Sequence, residues 1–489
     1  MFPETATKFL NPSGVPLWRK EFQQKEDSST SDVFRSPPSS IKVAARDSQA
    51  PGCLKPCMIS LGAGTPSSAY FPFEEIKVKV SNPPRFAGEV PESTLHLAKY
   101  DFEPRVSDYS LDVALNYGQG TGSAQMLRFV TEHTELVHSP PYGDWECCLT
   151  VGSTSAWDST LRIFCEKGDY IIAEEYAFSS ALEAALPMGI KVLSVKMDEQ
   201  GLVPESLDDL LSSWDEGERG ARKPFLLYMV PTGQNPTGAT QLLERRKAIY
   251  AVAQKHDLYI VEDEPYYYLQ LPPYTPGESS SHEGNKPCAL IPSYLSLDVD
   301  GRVLRLDSLS KVLAPGSRTG WVTASQQVVE KFVRMNEVSS QHPSGFSQAI
   351  LFKLLNHHWG HGGFFQWLEK IQTEYTWRRD TFLDACNKFL PKDIASWNPS
   401  RAGMFQWIEI DWRSHPLYKT GANHRTIQQV IFECAMQQKV FLTQGSFFWS
   451  DSSTTESRMF FRATYATASQ DDLTEAARRF GEALKDQFK

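Results

Sequence analysis

No stretch of this chain approaches the roughly 18 consecutive apolar residues that a membrane-crossing helix needs. Its opening, MFPETATKFLNPSGVPLW, has no apolar core of signal-peptide length, and its end, KDQFK, matches no peroxisomal or lipid-attachment signal. Cysteine is sparse, eight in 489 residues, which excludes a disulfide scaffold. Cys53 and Cys57, in GCLKPC, have a spacing seen in zinc sites but no second Cys/His pair nearby, so no metal is expected. Positive charge is also short: 49 Lys and Arg against 59 Asp and Glu leave a formal charge of −10. That disfavours a nucleic-acid groove or a polybasic membrane patch, and a small acidic substrate would need local arginines. These absences together fit a reducing, cytoplasmic location.

What is present is length and aromatic content: 28 Phe, 18 Tyr and 12 Trp in a chain long enough for two or three domains. Residues 1–57 are polar and broken and read as an N-terminal arm, too short for a winged helix. Residues 58–102 read as a segment joining the small domain, with MISLGAGTPSSAYFPF (58–73) as an apolar strand opening into a Gly-Pro loop. Residues 81–110 are Pro-rich and read as irregular. NYGQGTGSAQMLRFVTEHTEL (116–136) reads as a glycine loop feeding an amphipathic helix.

From about 145, apolar strands alternate with helices. CCLTVGS (147–153), YIIAEE (170–175), KVLSVKM (191–197), FLLYMVP (225–231), LYIVEDEP (258–265), VLRLDS (303–308) and GWVTAS (320–325) read as strands, and residues 242–256 as a helix between two of them. This pattern predicts an α/β fold with a mainly parallel sheet, in which ligands bind beyond the carboxyl ends of the strands. Residues 103–345 would form that large domain. Residues 346–489 would form a long linker helix and a second, smaller α+β domain containing GMFQWIEI (403–410), KVFLTQGSFF (439–448) and RMFFRATYA (458–466).

Several polar residues fall just beyond strand ends. DSLSK closes the 303–308 strand with Lys311, and Arg318 follows seven residues later, past a Pro-Gly break. A lysine at a buried strand end suits imine chemistry, because desolvation frees its neutral amine. An arginine beside it suits a phosphate through its planar fork. That pair of needs is what pyridoxal phosphate imposes. Asp263 lies at an apolar strand end, where a carboxylate needs a partner such as a protonated pyridine nitrogen, a helix terminus or a metal. Tyr266 follows three residues on, placed to donate to a phenolate oxygen. Asn235-Pro236 makes a turn after another strand. Ser153 and Thr154 open a helix whose positive end would receive a phosphate or simply carry an ordinary cap. Phe178 would stack on an aromatic ring or pack in the core.

In their order and spacing, LGAGTPSSAYFPF, NYGQGTG, GSTSAWD, YMVPTGQNPTG, VEDEPYYYL, DSLSKVLAPGSRTGW and FFRATYA resemble the fold-type I pyridoxal-phosphate aminotransferases. Among them, the chain resembles the group holding fungal aromatic amino-acid, 2-aminoadipate and kynurenine aminotransferases, over roughly residues 58–470. The resemblance implies pyridoxal 5'-phosphate as cofactor and a seven-stranded-type sheet. It makes Lys311 the Schiff-base lysine and proton shuttle, Asp263 the partner of the pyridine nitrogen, and Asn235 and Tyr266 the ligands of the cofactor's O3′. Ser308, Ser310 and Arg318, with Ser153 and Thr154, would hold the phosphate, and Phe178 would lie over the ring. Tyr117 would reach the cofactor phosphate of the other subunit of a homodimer. Arg462 would hold the substrate α-carboxylate, and Gly64 would line the substrate pocket. The expected reaction is ping-pong transamination from an aromatic amino acid to a 2-oxo acid, foremost 2-oxoglutarate. The alternatives are 2-aminoadipate or kynurenine transamination, or a β-lyase or decarboxylase reaction on the same fold. Admitting 2-oxoglutarate to an apolar pocket calls for a movable arginine, for which Arg35 of the arm is the candidate. The GSTSAWD helix start departs from the family's common GSQQ pattern.

Overall fold

The computed structural model describes residues 62, 64–85, 93–100, 109–277, 289–450 and 456–489. Strands β1 (Glu75–Val80) and β2 (Ser93–Ala98) pair antiparallel. The second of these corrects the reading of 81–110 as irregular throughout. STLHLA alternates, with Leu95 and Leu97 buried between exposed Thr94 and His96, a period-two signal that Pro-rich flanks obscure. The apolar run proposed at 58–61 lies outside the described residues, as do Arg35, Cys53 and Cys57.

Helix α1 (Ala124–His138) starts at Ser123, whose hydroxyl accepts from Met126 N, and buries Met126, Phe129, Val130 and His133 on one face. Then comes the sheet: β3 (Trp145–Thr150), β4 (Tyr170–Glu174), β5 (Lys191–Val195), β6 (Leu226–Met229), β7 (Tyr259–Asp263), β8 (Val303–Ser308) and β9 (Gly320–Ser325), in the spatial order β3-β9-β8-β7-β6-β4-β5. All pairs are parallel except those of β9, which runs antiparallel to both β8 and β3. Every residue of β6, β7, β8 and β9 is buried, as expected of central strands covered on both faces. The covering helices include α2 (Ser153–Phe164), α3 (Ser179–Ala185), α4 (Leu243–His256) and α5 (Gln326–Val338).

The apolar-looking VLRLDS strand carries a fully buried arginine. Arg305 donates two hydrogen bonds to Asp307, each 2.8 Å, and lies 3.2 Å from Glu262 of β7. A charge at that depth is tolerable because it is hydrogen-bonded to one carboxylate and ion-paired with another.

A long helical passage follows: α6 (Gly345–Phe352), a π-helical stretch Lys353–Trp359, and α7 (Gly360–Phe389). The second sheet has the order β10-β11-β13-β12, from β10 (Ala395–Ser396), β11 (Phe405–Ile410), β12 (Thr443–Gln444) and β13 (Met459–Thr464), all antiparallel. Of the KVFLTQGSFF run, only Thr443–Gln444 pairs as strand, and Gly445–Phe448 turns as a short 3-10 helix. Helix α8 (Gln470–Gln487) packs beside α7 over a core that includes Ile408, Phe461 and Phe480.

The carboxyl ends of β3, β4, β6, β7 and β8 lie at one side of the large sheet. Because β9 runs the other way, its amino end arrives there too, with Gly320 opposite both Thr150 and Ser308. Residues just before β9 are therefore delivered to the same place as residues just after the others.

Candidate active site

Lys311 stands three residues beyond the end of β8, half-buried. Burial lowers its ammonium below the usual lysine range, and the guanidiniums of Arg462 and Arg318 lower it further. On one side lies an anion cradle. Arg318, in the left-handed region at φ 47°, donates from Nη1 to Ser310 Oγ (3.2 Å) and Pro315 O (3.0 Å), and from Nη2 to Val151 O (3.0 Å). Ser308 Oγ donates to Ser310 Oγ across 2.9 Å and accepts from Ser310 N. The guanidinium lies against Gly152, where a Cβ would overlap Nη2. Gly152, at φ 81°, turns the chain from β3 into α2, whose first residue is Ser153. The first-turn N–H groups of a helix are free for an anion at its positive end. Ser153 Oγ is buried and has no hydrogen-bond partner among the described residues.

On the other side lies Asp263, the last residue of β7. Its Oδ2 accepts from the Tyr228 hydroxyl at 2.8 Å, while its Oδ1 is buried with no hydrogen-bond partner among the described residues. Burial pushes its carboxyl up to about 6, against the pull of the Tyr228 and Ser153 hydroxyls, with the Asp307 charge adding to the rise. The Ser153 hydroxyl is thus close enough to favour the charged form without meeting hydrogen-bond geometry. Tyr266, also buried, has its phenol raised by burial and by Asp263 and drawn back by Arg462, which puts both groups in its neighbourhood. Its ring meets Phe405 edge-on at 5.7 Å.

Arg462, from β13, donates from Nη1 to Asn235 Oδ1 (2.7 Å) and from Nη2 to Thr443 Oγ1 (3.3 Å). Its guanidinium carbon lies 4.4 Å from the Phe405 ring centre and 4.6 Å from that of Phe448. The turn holding Asn235 is braced by Gln234. Gln234 Nε2 donates to Glu174 Oε2 (3.0 Å) and Tyr176 O (2.6 Å), and its Oε1 accepts from Thr237 N (2.9 Å).

The structure therefore gathers Lys311, Asp263, Tyr266, Asn235, Ser153, Ser308, Ser310, Arg318 and Arg462. The remaining expected residues stand differently. Thr154 is exposed on the first turn of α2, and Phe178 is half-buried against the core at the start of α3. Gly64 is exposed, with none of the described residues within 4 Å of a Cβ placed there, and Tyr117 is 62% exposed. Arg35 lies outside the described residues. Tyr228, Thr443, Phe405 and Phe448 were not singled out from the sequence. Tyr228 alone left a signal there, as the one side chain with a polar atom in FLLYMVP. A cleft of about 440 Å³ lined by Tyr176, Trp407 and Phe460 borders the Thr237–Thr240 turn and includes neither Lys311 nor Arg462.

These residues fit pyridoxal phosphate. A buried carboxylate oxygen without a partner suits a pyridine N–H. A cation, two hydroxyls and a helix amino end suit a phosphate. A primary amine held low by burial and two guanidiniums suits the aldehyde carbon.

The chain matches the family Aminotransferase class I and II over residues 120–480 and belongs to it. It is 42% identical to an aromatic amino acid aminotransferase of Schizosaccharomyces pombe over 88% of this chain and 92% of that one. It is 38% identical to an L-tyrosine:2-oxoglutarate aminotransferase of Serpula lacrymans over 74% of this chain and 70% of that one. The crystal structure of aminotransferase Aro8 from Candida albicans superposes with a TM-score of 0.84 at 40% identity, covering 93% of this chain and 96% of that one. The protein is thus an aminotransferase of the α/β pyridoxal-phosphate fold, and pyridoxal phosphate is its cofactor. Among the described residues no helix is long and apolar enough to cross a membrane.

Proposed function

We propose that the protein transfers the amino group of an aromatic L-amino acid to a 2-oxo acid, with 2-oxoglutarate as the main acceptor. The observation that carries this reading is the setting of Arg462. Its guanidinium is tethered to Asn235 and Thr443 and flanked by the rings of Phe405 and Phe448. A fork held in this way grips a carboxylate in its plane. The adjoining rings favour an aromatic side chain and penalise a second carboxylate, which would lose its water there. The names of the S. pombe and S. lacrymans relatives point the same way.

In this reading Arg462 binds the α-carboxylate of donor and acceptor in turn, which gives ping-pong kinetics. Bound pyridoxal phosphate supplies an electron sink for the pair released when a bond to Cα breaks. Lys311, whose amine is neutral more readily than an ordinary lysine's, takes the α-proton from the donor Cα and later returns one to the acceptor. Asp263 pairs with the ring nitrogen, and Asn235 and Tyr266 bind the ring oxygen. Arg318, Ser308, Ser310, Ser153 and Thr154 hold the phosphate, and Phe178 covers the ring. Residues 103–345 form the cofactor-binding domain and residues 346–489 the linker helix and small domain. Residues 58–102 join the small domain, and Arg35 is the candidate for the second carboxylate of 2-oxoglutarate.

The protein works as a cytoplasmic homodimer with shared sites. Tyr70 (85% exposed), Val113 (54%) and Tyr117 (62%) leave apolar surface open in neighbouring segments. Asn116 Nδ2 donates to Pro66 O, linking the Tyr117 loop to that of Gly64. In a dimer this surface is covered, and Tyr117 and Gly64 complete the partner's site.

The test is a panel of amino donors with 2-oxoglutarate. Phenylalanine, tyrosine or tryptophan should lead in kcat/KM. A lead for 2-aminoadipate, kynurenine or aspartate would overturn the aromatic assignment, and failure to form glutamate from any donor would overturn the acceptor.

A further inference from the structure

Tyr228 sits in the middle of β6, fully buried, beside the strand that ends in Asp263. Its hydroxyl donates to Asp263 Oδ2 at 2.8 Å. The Trp157 ring lies 4.5 Å from the Tyr228 ring, and Trp157 Nε1 in turn donates to Ala181 O at 2.9 Å. The phenol is thus braced from α2, the same helix whose amino end opens onto the anion cradle. One carboxylate oxygen of Asp263 is tied. The other is buried and lacks a hydrogen-bond partner among the described residues. A buried acceptor in that condition is destabilising, which is tolerated where a ligand completes it.

We propose that Tyr228 is a positioning residue for the cofactor: by holding one oxygen of Asp263 it turns the other toward the ring nitrogen of pyridoxal phosphate. The inference rests on the reading of Asp263 as the partner of that nitrogen. It extends that reading to a strand residue which touches neither substrate nor cofactor.

Tyr228 also bears on the charge of the carboxyl. The groups facing Asp263 are Tyr228 from β6, Ser153 from α2, Asp307 from β8 and, just beyond its own strand, Tyr266. Burial and Asp307 favour the protonated acid, while the two hydroxyls favour the anion. Asp307 is itself neutralised by Arg305, and Glu174 of β4 faces Tyr228. Tyr228 stays protonated, since burial and Asp263 push its own ionisation well up. It therefore remains a donor throughout the working range, and without it the carboxyl would take up a proton at higher pH.

The experiment is titration of the apoenzyme with pyridoxal phosphate by equilibrium dialysis between pH 5 and 8. Wild type, Tyr228→Phe, Asp263→Asn and the double variant are compared, with the visible spectrum of the bound cofactor and the thermal midpoint recorded for each. Tyr228→Phe should weaken cofactor binding about tenfold at pH 7 and move the acid limb of binding to higher pH. In Asp263→Asn the same change should leave the pH dependence unaltered. Should Tyr228→Phe fail to fold, a fluorotyrosine at position 228, a stronger donor, should move the limb to lower pH. An unmoved limb in a folded Tyr228→Phe or fluorotyrosine protein, with Asp263→Asn impaired, overturns the role of Tyr228 alone. Unchanged binding in Asp263→Asn overturns the reading beneath it and the inference together.

Discussion

Arg462 Nη1 donates to Asn235 Oδ1 across 2.7 Å, although the two residues are 227 positions apart in the chain. The bond ties β13 of the second sheet to the turn that follows β6 of the first. The side chain assigned to the substrate carboxylate and the side chain assigned to the cofactor oxygen are thereby set against each other before any ligand arrives. Such preorganisation lowers the ordering cost of binding.

Replacing Arg462 by lysine keeps the charge but loses the fork that reaches Asn235 and Thr443 together. Arg462→Lys should lower kcat/KM about 100-fold, roughly 3 kcal/mol, for amino donor and 2-oxo acid alike. Single-turnover rates of the two half-reactions, measured separately, check this. A loss confined to one half-reaction would contradict a shared carboxylate site.

Lys311 should be the amine that carries the cofactor. Borohydride reduction of the holoenzyme followed by peptide mapping should find the pyridoxyl group on Lys311 and on no other lysine. Its lowered ionisation has a sign that can be checked independently. A depressed ammonium leaves more neutral amine at a given pH, so in the apoenzyme at pH 8 Lys311 should react with an amine-directed reagent ahead of exposed lysines such as Lys77 or Lys247. Equal labelling would argue that burial and the two arginines do not act on it as described.

Gly152 is the hinge of the anion cradle. Its φ of 81° is one that other residues adopt only under strain, and a Cβ there would overlap Arg318 Nη2. Gly152→Ala should cost about 1–3 kcal/mol locally and push Arg318 away from Ser310. Affinity for pyridoxal phosphate should fall about tenfold or more, while affinity for pyridoxal without its phosphate stays within twofold. An equal loss for both ligands would mean that the glycine serves the fold and not the phosphate.

Tyr117 should act in trans. Mixing Lys311→Ala protein with Tyr117→Phe protein and allowing subunits to exchange should yield heterodimers with one doubly impaired site and one intact site. Activity should therefore rise above that of either parent. With exchange proven by mass, failure to gain activity would show that each subunit uses its own tyrosine.

Much of the fold was legible as local pattern. The apolar runs at 303–308 and 320–325 are strands with those bounds, and the helix expected over 242–256 is Leu243–His256. Burial at every position of a central strand leaves a continuous apolar run, and a covering helix leaves one face, so both are written within a few residues. The weaker cases were those in which the local signal was brief or masked. Examples are β2, whose alternation is flanked by Pro-rich sequence, and Arg305, whose charge in an apolar strand makes sense only beside Asp307 and Glu262.

The candidate site divides along the same line. That Lys311, Asp263 and Asn235 each lie at or just beyond the end of an apolar strand is visible in the sequence, and strand ends of a parallel sheet share one edge by the geometry of the crossover connection. That β9 is antiparallel, and so delivers Arg318 to that edge from its amino end, is not. Nor is the meeting of Arg462 with Asn235, the approach of its guanidinium to the rings of Phe405 and Phe448, or the tie from Tyr228 to Asp263. The sequence by itself determined which residues stand at the ends of which elements, because backbone periodicity and burial act over one or two turns. The tertiary structure alone decided which of those ends meet, because hydrogen bonds and ring contacts between distant segments depend on strand order and direction, and neither leaves a local period to read.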